Sequence, residues 1–197
     1  MTESAGDGFT AYMVEHHKKM EKIMSHYGDI IDADDARMRQ VDYDLAVTAR
    51  PLTNAKWDLV YTDLARWWAE RVSKDPSTQV GAVIVDKQNR IRGMGYNGFP
   101  KGVHDHEERY ADRPTKYSMV VHAEPNAIVS ARGDLSGCTI YTSLFPCNEC
   151  AKLIIQAGIK RVVSPLPVKD GGRWDEAHKL SCVLFHEGGV QKEFVDG

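Results

Sequence analysis

The sequence predicts an α/β protein, a three-layer α/β domain behind a helical N-terminal extension, and three observations carry that expectation. Helical and strand-like segments alternate as helix, hairpin, helix, strand, helix, strand, helix. The last strands are separated by helices, which makes parallel pairing the expected arrangement. The 197-residue chain, 42% hydrophobic and 27% charged, has the size and composition to bury one substantial core rather than two.

The expected domains are residues 1–55, the helical extension, and residues 56–197, which carry the chemistry. Phe9, Tyr12, Met13, His17, Met20, Ile23, Met24 and Tyr27 recur at helical spacing, with Gly28 as a stop. Residues 29–50 are acidic with a looser helical period, closed by Arg50-Pro51. Thr53 or Asn54 is placed to cap the next helix, whose expected apolar face is Trp57, Val60, Leu64, Trp67, Trp68 and Val72. A buried strand is expected over 79–85 and a hairpin partner over 91–96, although Gly93 and Gly95 weaken the strand pattern. The polar stretch from Asn97 to Ser118 reads as one long loop, and loops of that length are usually functional. A helix opens at His122 and ends near Arg132-Gly133, with Pro125 tolerated in its first turn. Strand 138–143, helix 148–157 stopped by Gly158, strand 161–164, helix 174–186 and an edge strand over 190–195 complete the series.

Composition excludes several function classes. A net charge of −3 argues against a protein that coats nucleic acid by neutralising phosphates. No apolar run approaches the roughly 20 residues that cross a bilayer. The polar, acidic N-terminus does not read as a signal peptide, so a reducing cytoplasm is the expected home. In that setting Cys138 and Cys182, set among apolar neighbours, read as small buried side chains, while Cys147 and Cys150 read as thiolates.

Two stretches carry the chemistry: Val121-His122-Ala123-Glu124-Pro125 and Pro146-Cys147-Asn148-Glu149-Cys150. One imidazole and two thiols at Cys-x-x-Cys spacing close three corners of a zinc tetrahedron and leave the fourth for water. Both stretches sit where a helix begins, and the free N–H groups there favour thiolate. Glu124, two residues beyond the histidine, is placed to move protons for that water rather than to ligate. A closed structural site would need a fourth ligand, with Cys138, His104 and His106 as candidates, but none has a positional rule in its favour. His-x-Glu followed by Pro-Cys-x-x-Cys is the established signature of zinc deaminases. The expected chemistry is therefore hydrolytic deamination with one catalytic Zn2+ and Glu124 as the proton shuttle.

From about Leu64 to Val195 the chain resembles the deoxycytidylate (dCMP) deaminases, some of them viral. The resemblance is carried by Ser73-Lys74-Asp75-Pro76, Gln79-Val80-Gly81-Ala82, Gly95-Tyr96-Asn97-Gly98-Phe99-Pro100, His122 to Ile128, and Leu144 to Lys152 continuing to Lys160. It implies a cytidine-deaminase-like fold with a five-stranded mixed sheet, assembled as a homohexamer. It implies conversion of dCMP to dUMP for thymidylate synthesis, with dCTP activating and dTTP inhibiting. By position, His122, Cys147 and Cys150 become the zinc ligands and Glu124 the catalytic residue. Asn97 would hold the sugar, Ala123 would contact the base through its backbone, and Phe145 would flank the base. The effector site would involve Asn97, Gly98, Gly102 and His104. Pro125 departs from the family's usual leucine or methionine, residues 104–117 are only loosely similar, and the N-terminal extension matches nothing in the family.

The nucleotide's phosphate needs a cation. Lys74, in a matching motif beside the first strand, is the leading choice among Lys74, Arg71, Lys101, Arg109, Arg113 and Lys116, with Ser77 and Thr78 offering hydroxyls. Competing readings are a dual dCMP/dCTP deaminase, and a deaminase of a nucleoside, tRNA, polynucleotide or riboflavin precursor. A regulatory nucleotide-binding protein on the same scaffold would have lost the shuttle, and Glu124 is present.

Overall fold

A computed structural model of the protein describes residues 55–167 and 173–195. The helical segments expected before residue 55, and with them the extension and the caps at Thr53 and Asn54, lie outside the described residues.

The described chain runs α1 (Lys56–Val72), β1 (Gly81–Val85), β2 (Ile91–Tyr96), α2 (Glu107–Ala111), α3 (Arg113–Met119), α4 (Ala123–Ser130), β3 (Thr139–Thr142), α5 (Asn148–Gln156), β4 (Arg161–Pro165), α6 (Arg173–Glu187) and β5 (Gln191–Val195). The five strands form one mixed sheet in the order β2-β1-β3-β4-β5. β1 pairs antiparallel with β2 (Gly81 opposite Tyr96) and with β3 (Ala82 opposite Thr142). β3–β4 and β4–β5 are parallel, as the intervening helices require. The expected first strand starts two residues late because the Val80 N–H donates to Asn97 Oδ1 at 2.8 Å instead of entering the ladder.

The glycines that weaken the strand pattern explain the layering. A Cβ on Gly81 would stand 1.9 Å from the Ala65 carbonyl oxygen of α1. One on Gly93 or Gly95 would strike the backbone of α4, at 2.4 Å and 2.2 Å. These strand positions are therefore places where a helix lies directly on the sheet, α1 on one face and α4 on the other. Close approach also corrects the reading of α1. Its buried positions are Asp58, Tyr61, Thr62, Ala65 and Ala69, whereas Trp57, Val60 and Trp67 are exposed. Only small side chains fit where the helix backbone touches Gly81, so Trp57 and Trp67 turn outward, while Trp68 is partly buried and Leu64 packs against the core as expected. The core on this side joins Tyr61 and Ala65 to Val83, Val85, Tyr141, Val163 and Val195.

Asp58, buried on α1, accepts two hydrogen bonds from Arg161 at the start of β4, Nη1–Oδ1 2.8 Å and Nη2–Oδ2 2.6 Å. Arg161 also pairs with Glu193 of β5, and the Tyr141 hydroxyl donates to Asp58 at 3.1 Å. Burial and the neighbouring Asp58 push the Tyr141 hydroxyl up to about 12. This fork-to-fork pair ties α1 to three strands at the end of the sheet away from the two motif stretches.

The stretch expected as a long loop contains two short helices. Asp112 caps α3 by accepting from the Thr115 N–H at 3.3 Å, and Pro114 sits in its first turn. α4 ends at Ser130, earlier than expected, and α5 ends at Gln156 before Gly158, whose φ of +78° glycine adopts freely.

Candidate active site

Beyond the C-terminal end of β3 the chain turns into α5, and Cys147 occupies its N-cap with Cys150 three residues on. His122 occupies the N-cap of α4. Both N-caps have extended backbone, and neither side chain caps its own helix, so both are available to face a common point. His122 is brought there by a short bridge. Gly98 N–H donates to Val121 O at 3.1 Å, and Val121 N–H donates to Gly98 O at 2.9 Å.

The three donor atoms lie within 4.8 Å of one another. His122 Nδ1 is 3.3 Å from Cys150 Sγ and 3.5 Å from Cys147 Sγ, and the two sulfurs are 3.7 Å apart. Tetrahedral zinc with ordinary bond lengths requires edges of roughly 3.8 Å between sulfurs and about 3.6 Å from nitrogen to sulfur. The trio therefore fits one Zn2+, and no fourth histidine, cysteine or carboxylate joins it among the described residues. Cys138 is buried at the start of β3, its thiol pushed up by burial, and His104 and His106 lie on an exposed loop. The open three-ligand arrangement is the one present.

Electrostatics suit a cation here. A hydrogen bond from Cys150 and a second contact with His122 outweigh burial and hold the Cys147 thiol down to about 4. Cys150 shares that hydrogen bond and is pushed upward, so one proton serves two sulfurs until a metal displaces it. Glu124, in the first turn of α4, is 4% exposed, and burial raises its carboxyl above the usual range.

His122, Glu124 and Cys147 line a cavity of about 250 Å³, room for one small ligand. Its polar lining includes Asp75, Thr78, Asn97 and Lys116. Its apolar and aromatic lining includes Leu144, Phe145, Leu166, Trp174 and His178. Asn97, Ala123 and Phe145 all line this space as the sequence suggested, and Phe145 meets the His178 ring edge-on at 5.4 Å.

Lys74 does not line it. Its side chain is 68% exposed and pairs with Asp105 at 2.8 Å, because the helix-to-strand turn sends Lys74 outward and the next residue, Asp75, inward. Among the described residues, the lysine that lines the cavity is Lys116. Of the expected effector residues, Asn97 belongs to the cavity and Gly98 to the Val121 bridge, while Gly102 (φ +87°) and His104 sit on the exposed loop. Sequence reasoning gave no role to Asp75, Trp174 or His178. The spacing of Trp174 and His178, four apart on one helix, was the available signal for the latter pair.

A family model described as "Cytidine and deoxycytidylate deaminase zinc-binding region" matches residues 55–165, more than half of the chain. The chain belongs to this deaminase family. Among individual relatives, an uncharacterised deaminase of Aliivibrio fischeri is 48% identical over 120 residues, 60% of this chain and 80% of the relative. The human deoxycytidylate deaminase is 51% identical over 114 residues, 55% of this chain, and the match spans 64% of the human protein's length. The crystal structure of a dCMP deaminase from cyanophage S-TIM5 in complex with dCMP and dUMP superposes with a TM-score of 0.57 at 25% identity, covering 72% of this chain and 98% of the phage protein. The five-stranded sheet and the helices around it are the fold of this deaminase family. No helix among the described residues is long and apolar enough to cross a membrane.

Proposed function

We propose that the protein hydrolyses dCMP to dUMP and ammonia, with His122, Cys147 and Cys150 holding one zinc ion and Glu124 as the catalytic residue. The observation that carries this reading is a buried carboxylate beside an open three-ligand metal site, in the lining of a cavity sized for one nucleotide. When bound, zinc supplies a water whose pKa falls toward about 7. Glu124 would take one proton from that water and pass it to the ring nitrogen beside the amino-bearing carbon as the water's oxygen bonds to that carbon. It would then carry the proton of the new hydroxyl to the amino group as the C–N bond breaks, so dCMP and water become dUMP and ammonia.

The cavity's polar and aromatic lining offers different parts of the nucleotide different partners. Phe145, with Trp174 and His178, offers flat apolar surface to the base, and the first-turn N–H of Ala123 is one that a helix leaves unpaired. Asn97 faces the sugar. The deaminase domain is assigned to residues 56–197. Feedback by dCTP and dTTP through Gly98, Gly102 and His104, and assembly as a homohexamer, belong to the same reading. Their support is the resemblance of the Gly95–Pro100 loop to the dCMP deaminases.

The deciding measurement is ammonia release from dCMP, dCTP, cytidine and single-stranded DNA side by side, with and without added dCTP and dTTP. Preference for dCMP is expected; preference for dCTP or for a polynucleotide would overturn the substrate assignment.

A further inference from the structure

Lys116 on α3 is only 6% exposed although it lines the cavity. Its ammonium donates to Asp75 Oδ1 at 2.8 Å and to Ser77 Oγ at 2.5 Å, and lies 2.6 Å from Asp75 Oδ2 in a close ion pair. Both oxygens of one buried carboxylate thus hold the ammonium, which points its bonding toward Asp75. Asp75 is 1% exposed and is shared more widely. Its Oδ1 accepts the N–H groups of Ser77 (2.9 Å) and Thr78 (3.2 Å), and its Oδ2 accepts Asn97 Nδ2 at 3.2 Å. Asn97 Nδ2 also donates to Thr78 O at 2.8 Å, and Asn97 Oδ1 accepts the Val80 N–H. An N–H can only donate and a carbonyl only accept, so these partners fix which end of the carboxamide is oxygen.

One bond in this network is optional. The Ser73 hydroxyl lies 2.8 Å from the Asn97 main-chain oxygen and 2.9 Å from Asn97 Oδ1, yet it has one proton to give. When that proton sits on the main-chain oxygen, Oδ1 keeps a lone pair for a hydroxyl in the cavity. A buried ion pair is seldom the most stable filling for such a space, since apolar side chains of equal volume often serve as well. Its role here is better sought in what it holds.

We propose that Lys116 is a positioning residue: paired with Asp75, it fixes the Asn97 carboxamide as the acceptor for the sugar 3′-hydroxyl of the substrate. The proposal rests on reading the cavity as a nucleotide site. Lys116 also anchors the segment that runs through Val121 to His122, so Asn97 and the metal ligand share one support.

The test uses the zinc-loaded full chain, Lys116→Met, and the double variant Asp75→Asn/Lys116→Met, which removes both charges and guards against misfolding of the single one. Exchange of the Asn97 side-chain amide protons, followed by NMR, is expected to quicken in both variants. Kinetics compare dCMP with its 3′-deoxy analogue. The KM for dCMP should rise about ten-fold with kcat held within about three-fold, while the KM for the analogue stays put, as it should in Asn97→Ala. Unchanged amide exchange, or an equal rise in KM for both substrates, overturns the proposal. A wild-type protein that leaves dCMP intact instead overturns the reading of the cavity, and amide exchange still decides whether Lys116 holds Asn97.

Discussion

Gly95 lies directly beneath Ala123: a Cβ on the glycine would stand 2.2 Å from the alanine's carbonyl oxygen and 2.3 Å from the Ala127 nitrogen. A strand residue without a side chain thus sets the height of the helix that carries His122 and Glu124. Gly95→Ala must lift α4, and overpacking of this kind costs about 1–3 kcal/mol, with rigid backbone on both sides favouring the upper end. The expected outcome is a melting temperature lower by about 10 °C together with weakened zinc binding, read by calorimetry and metal titration. A variant that melts lower but holds zinc as tightly as before would separate the helix's height from the metal site.

Glu124→Gln keeps the shape of the side chain and removes its proton traffic. Ammonia release should fall by about 10²- to 10⁴-fold, while zinc content stays at one per chain. Wild-type turnover in a zinc-replete Glu124→Gln protein would exclude Glu124 as the shuttle.

Cys150→Ser replaces a thiolate with a poor zinc ligand and leaves two strong donors. Metal content after dialysis is expected to drop well below one per chain, and activity with it. Cobalt substitution of the wild-type protein should give a spectrum of three protein ligands plus water. Four protein ligands would mean that a residue outside the described set closes the site.

Burial would raise the Asp75 carboxyl, but hydrogen bonds from Lys116, Ser77 and Thr78 outweigh it and hold the group below its usual value. A carboxyl depressed in the folded state contributes stability that is fully present above its unfolded value, about 3.9, and is lost as pH falls through the folded value. Melting temperature should therefore fall more steeply as pH drops below about 4 in the wild type than in Asp75→Asn/Lys116→Met. Parallel curves would show that Asp75 titrates alike in both states.

Arg161→Met takes the guanidinium away from Asp58, whose side chain is 3% exposed, and leaves the Tyr141 hydroxyl at 3.1 Å without a compensating positive charge from Arg161. Breaking a buried pair from one side costs about 3–5 kcal/mol, so denaturant unfolding should shift by that order with kcat little changed, the pair lying away from the metal.

The trio His122, Cys147 and Cys150 was open to reading from sequence because one His-x-Glu and one Pro-Cys-x-x-Cys are enough to suggest tetrahedral chemistry. The order of the five strands and the longer helices was equally plain, since hydrophobic runs mark them and Gly158 marks the end of α5, but α2 and α3 were missed. Position in space was harder. Trp57 and Trp67 of α1 look like part of a core face by periodicity, and only the contact between Ala65 and Gly81 shows that they cannot be. The Asp112-Arg113-Pro114 start of α3 was a local signal passed over inside a polar stretch. Lys74 and Lys116 cannot be ranked from sequence, because which lysine turns inward depends on Asp75, 41 residues away from its partner.

The two helix starts that share the zinc ligands are 25 residues apart in the chain, and β3, the middle strand of the sheet, lies between them. An ion joining His122 to Cys147 is therefore a clasp around the central strand as well as a reagent. It closes a loop whose ends would otherwise separate freely in the unfolded chain. Stripping the metal should thus do more than silence the chemistry: it should unfasten β3 and its flanking helices as a unit, exposing that stretch to proteases before the α1 side of the sheet gives way.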